Sequence, residues 1–215
     1  MKFKKKFLRL HENILNKSIL IIGNGPSVHN YGFGREIDRF KNIARINNFK
    51  TIGYENIIGS KTTIWCNGAN QNLNKRTYTF NQVIVFIPPN IQINKSNYIH
   101  DHIQKRLMLS KNQYKLISID KMKFYEKKCN SLRLTTGTNS ILWAIENFEK
   151  VIIHGFDFFQ NGKEHYYDNR FKKWLYNQSW IKKGGKHNLV TEKEYIDKLI
   201  RGKKIYQLND FTDVN

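Results

Sequence analysis

Cysteine is scarce in this chain. There are two, Cys66 and Cys129, in no CxxC pair and at no metal-binding spacing. That excludes a disulfide scaffold and makes free thiols in a reducing compartment the expectation. Acidic residues are also few: 17 Asp plus Glu stand against 37 Lys plus Arg, for a net charge of +20. Long apolar runs are absent, and no window reaches the roughly 20 residues that a bilayer span needs. The basic start, Met1 to Leu10, carries Phe3, Phe7, Leu8 and Leu10 but no continuous apolar stretch, so it does not read as a signal peptide. No DxD, HExxH or cysteine–histidine cluster occurs, and nothing nominates a bound metal. Internal repeats, low-complexity segments and the signatures of RRM, zinc-finger or helix-turn-helix modules are missing too. The charge therefore points to a polyanionic partner, an anionic membrane surface or an anionic substrate, with a solvated basic surface as the plain alternative. A specific nucleic-acid partner is not expected.

What is present suits one α/β domain. The 215 residues are 40% hydrophobic, enough for a sizeable core. Residues 1–17 read as a basic segment, either frayed or lying on anionic lipid. Residues 18–215 read as the folded domain. Ser18 to Ile22 is a strand signal running into the tight turn Gly23-Asn24-Gly25-Pro26-Ser27. Its glycines permit close backbone approach to a ligand, although the third glycine of GxGxxG is missing. Glu36 to Phe40 has helical character. Further strands are expected over Asn42 to Ile46, Thr62 to Cys66, Gln82 to Ile87, Tyr114 to Ile119 and Lys204 to Leu208. Weak helix periodicity runs from Ile99 to Leu109. Asn24, Asn47 and Asn67 each fall at a strand end, where a turn residue is ordinary but three amides together suit ribose, phosphate or base edges.

The stretch from Arg133 to Asp168 organises the rest. Thr135-Thr136-Gly137-Thr138-Asn139 precedes a helical pattern of Ile141, Leu142, Ile145 and Phe148, followed by the strand signal Val151-Ile152-Ile153, stopped by Gly155. In an open α/β sheet ligands sit at strand carboxyl ends and helix starts, so an anionic donor group is expected over Thr136 to Thr138. The loop beyond carries Asp157, His165, Tyr166, Tyr167 and Asp168. Arg170 to Gly185, basic and tryptophan-containing, has the composition of a lid or of a surface loop. Thr191 is an expected N-cap for a helix to Ile200, with Glu192 and Glu194 in its first turn. Of seven histidines, His165 and His187 stand in supporting contexts: His165 is followed by Tyr166, Tyr167 and Asp168, and His187 has Glu192 five residues on. A carboxylate near an imidazole fixes its tautomer and raises its basicity.

These residues carry a family resemblance. The chain resembles the sialyltransferases of glycosyltransferase family 29, with kinship to bacterial family 42. ILIIGNGPS, GREIDRF and ARINNFKTIGYENIIGSKTT resemble the long motif. LTTGTNSILWAIENFEKVIIHGF resembles the short motif, HYYD (His165 to Asp168) the third, and His187-x4-Glu192 the fourth. All four occur in family order over about residues 18 to 192. The resemblance implies a Rossmann-like α/β domain, a GT-A variant with a mainly parallel sheet flanked by helices and a lid-like loop. It also implies an inverting, metal-independent enzyme with CMP-sialic acid as donor, a glycan as acceptor and no cofactor.

By position, His187 is then the general base and His165 assists phosphate departure. Asn24 and Asn47 contact nucleotide within a donor site that includes Gly25 and Ser27, and Asn67 matches a family 42 asparagine. Thr135, Thr136 and Gly137 hold the cytidine or the sialyl carboxylate. Tyr166 is a further phosphate-side residue; Asp157 and Glu192 support. The disulfide of the animal enzymes is replaced by Ser18 and Phe148, in keeping with a cytoplasmic location, with or without contact to the inner face of the cell membrane. Phe159 stands where family 42 has a tyrosine, which shifts weight to His165. A surface glycan such as bacterial lipooligosaccharide or capsule is the expected acceptor. A donor such as CMP-Kdo remains open on the same residues, and a non-enzymatic basic nucleic-acid module is the reading from a different class. A methyltransferase would need an acidic residue where Asn47-Asn48 stand.

Overall fold

The computed structural model describes residues 17–76, 79–157, 165–167 and 188–212. Seven parallel strands make one sheet: β1 (Ser18–Ile22), β2 (Asn42–Ile46), β3 (Ile64–Asn67), β4 (Gln82–Val85), β5 (Lys115–Leu116), β6 (Lys150–His154) and β7 (Tyr206–Gln207). Their order is β5-β4-β3-β2-β1-β6-β7. The chain steps outward from β1 to β5, then returns to the other side of β1 as β6. That reversal opens a crevice at the carboxyl ends of β1 and β6, the place where an open parallel sheet accepts a ligand.

Every residue of β1 is buried, because a central parallel strand is covered on both faces and so reads as a continuous apolar run. Alternate side chains go to opposite faces. Ile19 and Ile21 join Ala44, Ile64, Ile84 and Val151 under α5 (Ile119–Cys129), α6 (Thr136–Asn147) and α7 (Leu189–Arg201). Leu20 and Ile22 pack with Ile43 and Ile152 against Ile37 of α1 (Gly34–Asp38) and Ile58 of α2 (Glu55–Ile58). Trp65, Val83 and Val85 meet Ile99, Ile103 and Leu107 of α4 (Ile99–Leu107), which follows α3 (Pro89–Asn94). A last helix, α8 (Leu208–Thr212), follows β7.

Several boundaries shift from the sequence expectation. The Tyr114 to Ile119 strand shrinks to Lys115–Leu116 because Ser118 caps α5, accepting from the Lys121 amide. The last helix of the core starts earlier than Thr191: Asn188 is its cap, and its side chain accepts from the Thr191 amide. The first helix covers Gly34–Asp38 instead of Glu36 to Phe40. Residues 1–16 of the basic segment, Phe159, Asp168, the lid-like stretch Arg170 to Gly185 and His187 lie outside the described residues. No described helix is long and apolar enough to cross a membrane.

Candidate functional site

The crevice is closed at its base by glycine. The Gly23 amide donates to the His154 carbonyl and the Gly25 amide to the Gly155 carbonyl, 2.8 and 2.9 Å. A Cβ on Gly23 would sit 2.3 Å from the Gly155 carbonyl oxygen, so only glycine allows the two strand ends to approach this closely. Gly155 itself turns with φ +71. Asp157 then reaches across: its carboxylate accepts from the Ser27 amide at 2.8 Å. Gly25 leaves it room, since a Cβ there would lie 2.5 Å from the Asp157 carboxyl carbon. Asp157 thus ties the β6 loop to the β1 loop beside Asn24.

The three asparagines stand at the ends of neighbouring strands: Asn24 bonds to the turn after β2, Asn47 lies in that turn and bonds to Gly68, and Gly68 follows Asn67 at the end of β3. Asn24 donates from Nδ2 to the carbonyls of Ile46 and Asn48, 3.0 and 3.4 Å. Asn47, in the left-handed region at φ 48, accepts on Oδ1 from the Gly68 amide. Asn67 is fully buried and accepts on Oδ1 from the Ala69 amide at 3.0 Å. Asn24 Oδ1 and Asn67 Nδ2 are buried with no hydrogen-bond partner. A buried amide left half-satisfied costs about 1–3 kcal/mol, and such groups at strand carboxyl ends are what a polar ligand or a bound water would satisfy.

The same turn gathers Asn48 and Arg76, which sequence reasoning passed over, with Tyr167 of the third motif. Asn48 donates to the Asn72 carbonyl and accepts from the Asn74 amide, both at 2.7 Å. Arg76 lies over the Phe49 ring, 4.0 Å from its centroid, and donates to the Phe49 carbonyl at 2.8 Å. Tyr167 donates its hydroxyl to the Asn48 carbonyl. Only the doubled asparagine hinted at this role, and nothing in the sequence gave its partners 24 to 119 residues away.

Tyr166 takes a different place from the phosphate-side role the resemblance gave it. It is 4% exposed; its hydroxyl donates to the Lys50 carbonyl at 2.6 Å and accepts from the Lys50 amide at 3.0 Å. Burial pushes its phenol above the ordinary range, keeping it an O–H donor. Its amide donates to the Asn24 carbonyl at 2.9 Å. Tyr166 is therefore a latch that brings the third motif onto the β1 and β2 loops. In doing so it sets His165 one residue from that contact, with the His165 imidazole stacked on Tyr167 at 5.2 Å.

The helix start is occupied in part by the protein itself. Thr135 caps α6, its hydroxyl accepting from the Thr138 amide at 3.2 Å. Glu192, fully buried, closes over the same turn from α7. Its carboxylate accepts from the Thr135 amide at 3.1 and 3.2 Å, from the Thr135 hydroxyl at 2.7 Å and from the Thr138 hydroxyl. An anion belongs there, since the first turn exposes unpaired amides and the positive end of the helix dipole. The sequence placed a donor anion over Thr136 to Thr138; the structure puts the Glu192 carboxylate on Thr135 and Thr138. Its described bonds go to α6, and His187, the imidazole it was expected to orient, lies outside the described residues. Thr136 and Gly137 remain on the crevice side, and a Cβ on Gly137 would lie 3.0 Å from the Phe156 ring and 3.6 Å from Ile46.

His154, at the end of β6, is 7% exposed, and burial holds its imidazole down to about 4, with Arg45 adding to the effect and Asp157 opposing it. It is a neutral core imidazole at neutral pH. Cys66 and Cys129 are buried and free, and burial pushes both thiols up to about 12. Among the described residues no group of three His, Cys, Asp or Glu side chains is placed to hold a metal.

A family model described as glycosyltransferase family 29 (sialyltransferase) matches residues 9–204. The type 2 lactosamine alpha-2,3-sialyltransferase of Mus musculus is 24% identical over 89% of this chain and 65% of its own. The CMP-N-acetylneuraminate-beta-galactosamide-alpha-2,3-sialyltransferase 2 of the same organism is 22% identical over 86% of this chain and 55% of its own. This chain thus spans about 55–65% of the length of the curated relatives it matches. A mammalian sialyltransferase crystal structure superposes with a TM-score of 0.67 at 18% identity, covering 89% of this chain and 68% of that one. Another, in complex with Gal-beta-1-3GalNAc-ortho-nitrophenol, gives 0.65 at 17% identity, covering 89% and 69%. At these identities the structures establish a shared fold.

Proposed function

The chain belongs to glycosyltransferase family 29, the sialyltransferases, and from that premise we propose that it transfers sialic acid from CMP-sialic acid to a hydroxyl of an acceptor glycan. The observation that supports this most is the placing of Asn24, Asn47 and Asn67 at the carboxyl ends of neighbouring strands, with buried amide atoms of Asn24 and Asn67 left unpartnered. Gly137, in the first turn of α6, faces the side chain of Ile46, the last residue of β2. Uncharged amides suit cytidine and ribose edges. CMP leaves as a phosphate monoester, whose charge can be met by imidazole, hydroxyl and amide donors without a metal.

In the proposed reaction the acceptor oxygen attacks the anomeric carbon on the face opposite the phosphate. The carbon–oxygen bond to phosphate breaks, CMP takes the electron pair, and the configuration inverts. His187 takes the acceptor proton as general base. His165, which precedes the Tyr166 amide bonded to the Asn24 carbonyl, stabilises the departing phosphate. One histidine cannot serve both faces. We further propose a surface glycan as acceptor and a reducing, cytoplasmic setting, which the two free buried thiols suit. The relatives' names favour a sialyl donor over another CMP-linked 2-keto sugar, and comparing CMP-sialic acid with CMP-Kdo in one assay separates the two.

The test is a pair of variants measured for transfer rate, CMP affinity and melting temperature. His187→Ala lowers transfer about 10²–10⁴-fold and leaves CMP affinity nearly intact. His165→Ala lowers transfer and weakens CMP binding together. Donor hydrolysis by water responds less to His187→Ala than transfer does. A folded His187→Ala variant with near wild-type transfer refutes the assignment of the base.

A further inference from the structure

Helix α5 presents two unlike faces. Met122, Tyr125 and Cys129 are buried in the core. Lys123, Phe124, Lys127 and Lys128 point outward, followed just past the helix by Leu132. Phe124 is 42% exposed and Leu132 80%. Lys128 sits over the Phe124 ring, its Nζ 4.5 Å from the centroid. The acidic residues nearby are largely engaged elsewhere. Glu126 accepts from the Arg133 amide at 2.8 Å. Glu146 accepts from the Tyr125 hydroxyl at 2.8 Å and pairs with Lys121 at 3.2 Å. Only Asp120, at the helix start, shares the outward face. The result is a basic surface with an aromatic and an aliphatic side chain at its centre, on a chain of net charge +20.

We propose that this face of α5, with Leu132, docks on an anionic lipid bilayer. The charge fits: lysines near an anionic leaflet each favour binding, and several clustered together add up. The apolar pair selects a bilayer over a nucleic acid or another soluble polyanion, because Phe124 and Leu132 gain by leaving water for the headgroup–acyl boundary while the lysine stems lie along it. The placement has a consequence for the site. Leu132 precedes Thr135, the cap of α6, by three residues, and Cys129 is close enough to Glu192 for that carboxylate to help raise its thiol. Docking here holds the start of α6 close to the lipid surface, where a lipid-borne acceptor would be presented. Lipid docking by this surface requires no transfer chemistry.

The experiment is co-sedimentation of the full chain with vesicles of phosphatidylcholine alone and with about one-third phosphatidylglycerol. The wild type binds the anionic vesicles and not the neutral ones. Lys123→Gln/Lys127→Gln/Lys128→Gln lowers partition about a hundredfold at low salt, from about fivefold per lysine. Phe124→Ala/Leu132→Ala lowers it about tenfold, with CMP affinity and melting temperature unchanged in both. Three results overturn the proposal. One is no binding of the wild type to anionic vesicles. Another is binding by the lysine variant within about threefold of wild type, which assigns the contact to other lysines. The third is loss with the lysine variant but none with the apolar variant, which makes the face a general polyanion site, tested in parallel with heparin and RNA.

Discussion

Replacing Glu192 by alanine perturbs the contact that, among the described residues, joins the fourth motif to the second. Glu192 is fully buried and faces three donors: the Thr135 amide, the Thr135 hydroxyl and the Thr138 hydroxyl. Each buried donor stranded by the change costs about 1–3 kcal/mol. The two hydroxyls lie 3.1 Å apart and can turn to each other, so the low end applies to them. Together the stranded donors contribute about 3 kcal/mol, and the void left by one methylene and the carboxylate adds about 1 kcal/mol. A loss of about 4 kcal/mol shifts the midpoint of a domain this size by about 10 °C. Glu192→Gln keeps the volume and one acceptor oxygen, and its expected cost is about 1–2 kcal/mol. Urea unfolding of both variants, with Thr138→Val and the Thr138→Val/Glu192→Ala double variant, completes a cycle with an expected coupling of about 1–2 kcal/mol. An alanine variant within about 1 kcal/mol of wild type, or additive double-variant losses, refutes the claim that the carboxylate holds the α6 turn.

Three further expectations are as direct. His154 has a folded pKa of about 4 against 6.5 when unexposed to the fold, so the unfolded chain binds the proton first; stability is full above about pH 6.5 and falls by up to about 3 kcal/mol as pH drops toward 4. His154→Gln removes that part of the acid loss, and an unchanged difference between about pH 7.5 and 4.5 in urea unfolding contradicts it. Gly23→Ala places a Cβ 2.3 Å from the Gly155 carbonyl oxygen and costs about 2–3 kcal/mol, whereas Gly32→Ala, 3.9 Å from its nearest neighbour, stays within about 0.5 kcal/mol of wild type; equal melting temperatures for the two refute the close approach. CMP release persists in excess chelator, and activity lost on chelation and restored by magnesium overturns metal-independent transfer.

The family, the α/β class and the cluster of strand-end asparagines were legible because their causes are local. A buried parallel strand must be a short apolar run, as Ser18–Ile22 and Lys150–His154 are. A chain leaving such a strand through glycine places its next polar residue at the carboxyl edge, which located Asn24. Boundaries drifted where caps decide them, as Asn188 and Ser118 did, since a cap depends on which side chain happens to reach the first turn.

Side-chain roles within the site were another matter. Sequence spacing pointed to His187, five positions from Glu192, and gave no sign of Thr135, 57 positions away, to which the Glu192 carboxylate bonds. Tyr166 looked available for phosphate until its hydroxyl was found on Lys50, 116 positions back. Asn48 and Arg76 carried no motif signal, yet they fasten the β2 turn to the loop after β3. A sequence states which donors and acceptors a chain owns. Which of them meet is decided when α7 packs over α6 and the third motif folds back across β1, because a buried polar atom bonds to whatever the packing brings within about 3 Å, however far away it lies along the chain.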